Sequence, residues 1–176
     1  MILEADSGFP HGVQRSQPPN SNILNRPRLV KRKSSMQPNS AASFTRWIVL
    51  LAALSGALSV TLGAMAAHSL PTRLEKQGLD AVAIAKKVDQ CDIGSKYQMA
   101  HALALLAIGL SGLANRSVFG KIAAILMLLG TVAFSGGLYS IVFANEIIHW
   151  SIVPIGGSLF ILGWLSLAAA SLQAKY

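Results

Sequence analysis

Residues 47–67 read WIVLLAALSGALSVTLGAMAA and contain no charged residue. At a rise of about 1.5 Å per residue, a helix of this length reaches about 30 Å, the thickness of a bilayer's hydrocarbon core. The triplet Ala64-Met65-Ala66 resembles a signal-peptide cleavage site, but the apolar run is longer than the roughly 7 to 15 residues of a cleavable signal. We therefore expect an uncleaved transmembrane helix.

Three further apolar runs follow, at residues 97–114, 122–144 and 152–172, and only Gln98 and His101 interrupt the first of them. The whole chain of 176 residues is 52% hydrophobic and 12% charged, which is too apolar for an ordinary soluble domain. The sequence thus predicts an all-α integral membrane protein, a bundle of four transmembrane helices within a domain at residues 47–176.

Residues 1–46 differ in kind from the rest of the chain. They combine five prolines with serine, asparagine and a basic run from Arg26 to Lys33, and offer no apolar face for packing. We expect a disordered N-terminal arm. It either attracts anionic lipid headgroups, at about 1 kcal/mol per basic residue near the surface, or simply fixes the orientation of the first helix.

The net charge of +8 could suggest nucleic acid, but the basic residues lie outside the apolar runs, where membrane topology accounts for them. We therefore expect the lipid bilayer as partner and no nucleic acid. With the N-terminus in the cytoplasm, ten basic residues fall on the inner side and five on the outer side. The excess predicts a multi-pass cell-membrane protein, in bacteria an inner-membrane protein, with both termini cytoplasmic.

The first connection, residues 68–96, is long for a compact bundle. Leu79, Val82 and Val88 recur at nearly helical spacing, and Gly78 and Gly94 flank them. This pattern predicts either a short amphipathic helix on the outer surface, bracketed by the two glycines, or a solvated linker with some helicity.

Small residues recur every four positions within the runs, a spacing that lets helix backbones approach closely in lipid. They follow the first, third and fourth runs: Ser55, Ser59, Gly63 and Ala67; Gly136, Ser140 and Ala144; Gly156, Gly157 and Gly163. We expect these stripes to pack the four helices together. A homodimer seam, or contact with another membrane protein, is the alternative.

Polar side chains gather toward the predicted outer face. They are His68 after the first run, Tyr97, Gln98 and His101 at the start of the second, and Glu146 and His149 after the third. On a helix, Tyr97 and Gln98 lie four and three residues before His101, so either side chain could hydrogen-bond the imidazole or hold its tautomer.

Three interpretations of this cluster stay open. It could be structural, because polar groups within a membrane must be hydrogen-bonded between helices. It could be a metal site of His68, His101, Glu146 and His149. It could be a proton-linked or quinone-like site in which His101 titrates beside Gln98 and Tyr97, with His68 as a further cofactor-binding candidate.

Several motifs occur in order along the chain: GAMAAHSL at 63–70, YQMAHALAL at 97–105, FSGGLY at 134–139, PIGG at 154–157, and Gly163-Trp164. From Arg46 onward they resemble the small bacterial inner-membrane family of unknown function typified by YgdD, domain of unknown function 423, which is related to a eukaryotic group of small four-span proteins. The resemblance implies four membrane helices and no established activity, cofactor or catalytic residue. His149 falls outside its motifs.

Common catalytic motifs are missing: there is no Gly-x-Ser-x-Gly elbow, phosphate loop or His-Glu-x-x-His. We predict no catalytic residue and no cofactor. The leading functional hypothesis is a non-enzymatic membrane protein that assists transport or envelope assembly through helix contacts. Its alternative is a small redox, metal or proton-handling protein that uses the outer-face histidine cluster.

Overall fold

The computed structural model describes residues 40–144 and 151–173, and its side chains from Phe44 onward. All regular structure in these ranges is helical. The helices, in chain order, are α1 (Ser40–His68), α2 (Leu70–Lys76), α3 (Ala81–Ser111), α4 (Leu113–Arg116), α5 (Val118–Phe143) and α6 (Ile152–Gln173).

Three helices in the described part of the chain are long and apolar enough to cross a membrane: Phe44–His68 in α1, Val118–Phe143 in α5 and Ile152–Gln173 in α6. The run predicted at residues 97–114 is not among them. It forms only the second half of α3, a helix whose first half carries lysines and aspartates, and it ends early because Gly112 adopts φ +67° and closes α3.

Neighbouring long helices run antiparallel, α1 beside α3, α3 beside α5, and α5 beside α6. Two apolar clusters mark the two ends of this assembly. One joins the starts of α1 and α5 to the end of α3, with Ile48, Leu105, Ile108 and Met127 at its centre. The other surrounds Cys91 where α1 ends and α2 begins. α3 therefore lies between α1 and α5 along the length that the two clusters span.

The stripe of small residues on α1 packs against α3, as expected from the sequence, except for Ala67, which is exposed. The hydroxyl of Ser59 donates to the carbonyl of Ser95 over 2.8 Å, and a Cβ on Gly63 would come 3.3 Å from the Ser95 hydroxyl. Such approach of two backbones is what small residues permit in lipid.

The stripes on the later helices divide between packed and open positions. A Cβ on Gly156 of α6 would collide with the backbone nitrogen of Phe134 in α5, so only glycine fits this crossing. Gly163 also meets α5, through Met127. Gly136, in contrast, faces open space, and the neighbouring Gly137 makes the contact with α6.

The connection at residues 68–96 is more helical and more packed than the sequence predicts. Gly78 ends a turn with φ +79°, and Asp80 caps α3 by accepting a 2.8 Å hydrogen bond from the amide of Ala83. The prediction that Gly94 ends a short helix is wrong, because α3 continues through it without a break. Gly94 is needed for packing instead: a Cβ there would lie 2.8 Å from the ring of Tyr139.

α3 docks on the bundle rather than forming a separate surface helix. Leu79 and Val88 pack against the cluster around Cys91, whereas Val82 is exposed. Lys87 donates hydrogen bonds of 2.9 and 3.1 Å to the carbonyls of Ile141 and Val142 at the end of α5. Carbonyls in the last turn of a helix have no partner within the helix, so the lysine caps α5 from outside.

The domain boundary predicted at residue 46 lies within α1, which begins at Ser40. The rest of the predicted arm, residues 1–39, lies outside the described residues. So do Glu146 and His149, two of the candidate site residues.

Candidate functional site

α3 carries two buried polar side chains in its second half. Gln98 and His101 are 3% and 4% exposed, and their spacing of three residues places them on neighbouring parts of the helix surface. Polar groups buried among apolar helices require protein partners, because no water is available there to satisfy their hydrogen bonds. α1, α5 and α6 supply those partners.

Gln98 links α1, α3 and α5. Its Nε2 group donates to the carbonyl of Ser55 over 3.0 Å and lies 3.3 Å from the Ser55 hydroxyl. Its Oε1 atom accepts a 2.8 Å hydrogen bond from the hydroxyl of Tyr139. Both the nitrogen and the oxygen of the side-chain amide thus have partners, as expected for a residue that holds three helices together.

His101 links α3 to α6. Its Nδ1 atom lies 2.7 Å from the carbonyl of Tyr97, one turn earlier, and its Nε2 atom accepts from the indole Nε1 of Trp164 over 3.2 Å. An indole N–H only donates, so Nε2 must be the unprotonated nitrogen. Nδ1 therefore carries the proton and donates to Tyr97, which gives a neutral imidazole of defined tautomer.

Aromatic rings surround this imidazole. Phe160 of α6 stacks on it with 3.4 Å between ring centroids and 12° between planes, and the Tyr97 ring lies 4.8 Å from that of Phe134. Beside them is a cavity of about 440 Å³ between α3, α5 and α6. The walls are apolar apart from His101, Tyr97, Ser158 and the indole of Trp164, so the cavity suits a flat apolar molecule better than an ion.

Two serines add further bonds between helices. Ser59 of α1 and Ser135 of α5 donate to the carbonyls of Ser95 and Gly94, each over 2.8 Å. Just beyond them Asp92 and Lys96 form an exposed ion pair on α3, and its hydrogen bond raises the pKa of Lys96. From Tyr97 to its end, α3 carries no charge.

Of the residues proposed from the sequence, the structure brings together Tyr97, Gln98 and His101, although the Tyr97 side chain itself is 48% exposed and its backbone carbonyl makes the bond. His68 is elsewhere. A Cβ on Gly56 would lie 4.0 Å from Ala102, next to His101, and His68 follows about 18 Å further along α1.

Of the four proposed metal ligands, the structure describes His68 and His101, and these two are far apart. Glu146 and His149 lie outside the described residues, and His68 is not near His101. Among residues 40–144 and 151–173, no three histidine, cysteine, aspartate or glutamate side chains are close enough to hold a metal ion together. The histidine in the centre of the bundle instead has two protein partners.

Tyr139 and Trp164 were not among the residues proposed for the site. Both lie in quoted motifs, FSGGLY and Gly163-Trp164, and both are aromatic residues with a polar hydrogen within apolar runs. Such residues usually find a partner when buried, which was the available signal. Which partner they find depends on how the helices pack.

Comparisons with known proteins place this chain in a family. The model of a family described as "Protein of unknown function (DUF423)" matches residues 62–157, more than half of the chain. That range contains His68, Gln98, His101 and Tyr139, and ends before Trp164. No solved structure matches.

Curated relatives are membrane proteins by name. A UPF0382 membrane protein of Haemophilus influenzae is 44% identical over 126 residues, covering 71% of this chain and 93% of the relative. One from Staphylococcus epidermidis is 38% identical, covering 71% and 94%, and the UPF0382 inner membrane protein YgdD of Escherichia coli is 28% identical over 131 residues, covering 74% and 93%. The chain is thus a multi-pass membrane protein and belongs to the DUF423 family of proteins of unknown function.

Proposed function

We propose that this protein is a four-span, non-enzymatic membrane protein that works through helix contacts, assisting transport or envelope assembly. In this proposal α1, the second half of α3, α5 and α6 cross the bilayer. The buried polar groups of α3 hold the helices in register rather than carry out chemistry.

The packing of α3 supports its role as a fourth span. Its uncharged part, from Tyr97 to Ser111, is about 22 Å long and lies beside α1 and α5. Lys96 can extend its ammonium group toward the headgroups, which compensates for a short apolar length. Gln98 and His101, the two polar groups that lower the hydropathy of this uncharged part, face other helices and are hydrogen-bonded there.

Four spans place both termini on the same side. The basic residues favour the cytoplasm for that side, since ten lie on it and five on the other. Within the described residues, the end of the bundle that holds the start of α1 and the α4 turn carries Arg46, Arg116 and Lys121. The four acidic residues from Glu75 to Asp92 lie at the opposite end.

One observation carries the non-enzymatic proposal: both ring nitrogens of His101 have protein partners. A histidine that binds a metal or shuttles a proton needs one nitrogen available. Here a ligand would have to displace either the indole of Trp164 or the carbonyl of Tyr97.

His101→Ala tests this proposal, with Leu103→Ala as a control on the exposed side of the same helix. We expect His101→Ala to lower the melting temperature in detergent while metal content and the absorption spectrum stay as in the native protein. Leu103→Ala should change none of these quantities. If His101→Ala melts like the native protein but loses a bound metal or a chromophore, the non-enzymatic proposal is wrong.

A redox or proton-handling role is the second candidate, and the aromatic cavity beside His101 favours it. A flat ring could lie against Tyr97 and Phe134, close to the imidazole. Gentle extraction followed by solvent extraction and mass spectrometry of small molecules would test this role: a stoichiometric quinone or similar ring compound, lost in Phe134→Leu, would establish it.

A further inference from the structure

α1 and α5 both pack on α3 and leave a groove between them, on the side away from α6. The groove has a volume of about 400 Å³, within the range of small-molecule sites. Its rims are formed by exposed apolar side chains of both helices: Leu51, Leu54, Leu58 and Val132. Because these helices are membrane spans, the groove opens sideways toward lipid.

The floor of the groove is polar but already hydrogen-bonded within the protein. Gln98 is held by Ser55 and Tyr139, and Ser135 donates to the carbonyl of Gly94. Beside them Gly136 has no atom within 4 Å of the position of a Cβ. The floor thus offers space and no free polar group, which suits an alkyl chain better than a polar ligand.

One end of the groove is basic. Lys121 lies seven and fourteen residues before Leu128 and Ser135, so it shares the groove face of α5. Its Nζ atom lies 5.3 Å from the centre of the Phe44 ring on α1, and both residues lie about two helical turns beyond the end of the groove at Leu51 and Leu128. The sequence has no acidic residue from 93 to 145 or from 7 to 74, so acidic side chains in these stretches do not offset this charge.

We propose that the groove between α1 and α5 binds an anionic phospholipid, with the phosphate at Lys121 and one acyl chain along the groove. The groove from Leu128 to Tyr139 is about 16 Å long, close to the depth of one leaflet of a core of about 30 Å. Basic pockets between membrane helices are suited to anionic headgroups. This lipid site goes beyond the proposed function and does not depend on what the cavity beside His101 binds.

Native mass spectrometry of the detergent-purified full chain tests the site. Phosphatidylglycerol and phosphatidylcholine with identical chains are added separately, and the lipid-bound fraction is measured. The native protein should prefer phosphatidylglycerol. Lys121→Gln should lower its affinity for phosphatidylglycerol about fivefold and leave that for phosphatidylcholine unchanged. Lys76→Gln, which removes an exposed charge at the other end, is the matched control and should keep the preference.

Two variants fill the groove. Gly136→Leu fills the floor and Val132→Trp fills it from the exposed rim, and both should lower the binding of both lipids. Ala168→Leu adds the same side chain to an exposed position of α6 and should change neither. Circular dichroism confirms that each variant is folded.

Three results would overturn the lipid site. Equal binding of the two lipids by the native protein would show that the site does not recognise the headgroup charge. Unchanged lipid binding in both filling variants would show that the groove is not the binding site. Loss of a dimer peak in Gly136→Leu, with lipid binding intact, would identify the groove as a seam between two copies instead.

Discussion

The indole of Trp164 donates the hydrogen bond that α6 makes to the buried imidazole of His101, on which Phe160 of α6 also stacks. Trp164→Phe keeps the ring and removes the N–H, so Nε2 of His101 loses its donor. Hydrogen bonds between membrane helices contribute about 0.6 kcal/mol on average and up to about 1.7. We expect the free energy of unfolding in mixed micelles to fall by about 1 kcal/mol.

Trp47→Phe is the control for this change, because Trp47 is 60% exposed on α1. Its effect on the free energy of unfolding should be close to zero. Equal effects of the two substitutions would mean that the indole N–H of Trp164 contributes nothing, and that the fixed tautomer of His101 does not depend on it.

At this scale the sequence predicted the buried residues better than their partners. Gln98 and His101 stand out as polar groups within an apolar run, and both are buried. The sequence suggested that the Tyr97 or Gln98 side chain would hold the imidazole, because local spacing is all that a sequence displays. The actual donor is Trp164, 63 residues away, and the actual local partner is the Tyr97 carbonyl. The spacing of four residues correctly names Tyr97 but not its carbonyl as the partner atom, and nothing in the spacing points to Trp164.

At the scale of helices, Gly156 and Gly136 differ in what surrounds them although both lie within apolar helices. A Cβ at Gly156 would collide with the backbone of Phe134, so Gly156→Ala must push α5 and α6 apart. Overpacking of this kind costs about 1–3 kcal/mol. Gly136→Ala meets no atom within 4 Å and should be neutral or stabilising by up to about 1 kcal/mol, since alanine favours helix.

Thermal unfolding of the two alanine variants in one detergent measures this contrast. The contact between α5 and α6 is the most extensive between helices in the described chain, so a loss at Gly156 should be visible as a lower melting temperature. A melting temperature for Gly156→Ala equal to that for Gly136→Ala would contradict the close crossing.

Lys87 connects the outer part of α3 to the end of α5. Lys87→Met keeps most of the aliphatic stem and removes the ammonium group that donates to Ile141 and Val142. Hydrogen bonds from charged groups contribute about 1.5–3 kcal/mol, and partial exposure reduces this value. Hydrogen exchange should therefore speed up in the last turn of α5. Lys86→Met, on the exposed side of the same helix, should leave that exchange unchanged.

The elements themselves followed from hydropathy to different degrees. The three runs without a charged, amide or imidazole side chain became α1, α5 and α6. Their C-terminal ends lie within one residue of the prediction, but α1 begins at Ser40 and α5 at Val118, seven and four residues earlier than predicted. α3 was harder, because its charged first half reads as a surface segment and glycine at position 94 reads as a stop. Within a packed bundle the same glycine is required by the ring of Tyr139, a contact that periodicity along one helix cannot reveal.

At the scale of the whole molecule, charge and polarity are distributed unevenly. Acidic residues with basic neighbours occupy the end where α2 and the start of α3 lie, and the described part of the other end is purely basic. The sequence predicted this division, because the charged residues between the apolar runs can be counted directly. The number of spans is harder to predict, because Gln98 and His101 lower the mean hydropathy of α3 although both are buried and hydrogen-bonded to other helices.

Cysteine accessibility decides between three and four spans. In a Cys91→Ala background, single cysteines replace Gln77 in the first connection and Arg116 in the α4 turn, both of them exposed. If α3 crosses the membrane, a membrane-impermeant maleimide added to intact cells should label position 77, and position 116 only after permeabilisation. If α3 lies on the outer surface, both positions should react in intact cells, and the C-terminus should then also be outside.

A cysteine added after Tyr176 distinguishes these cases a second time: with four spans it reacts only in permeabilised cells. The physical reason to expect four spans is that α3 lies between α1 and α5 from Cys91 to Ile108, so it cannot leave the bilayer without exposing the polar atoms of Ser55, Tyr139 and Trp164 to lipid.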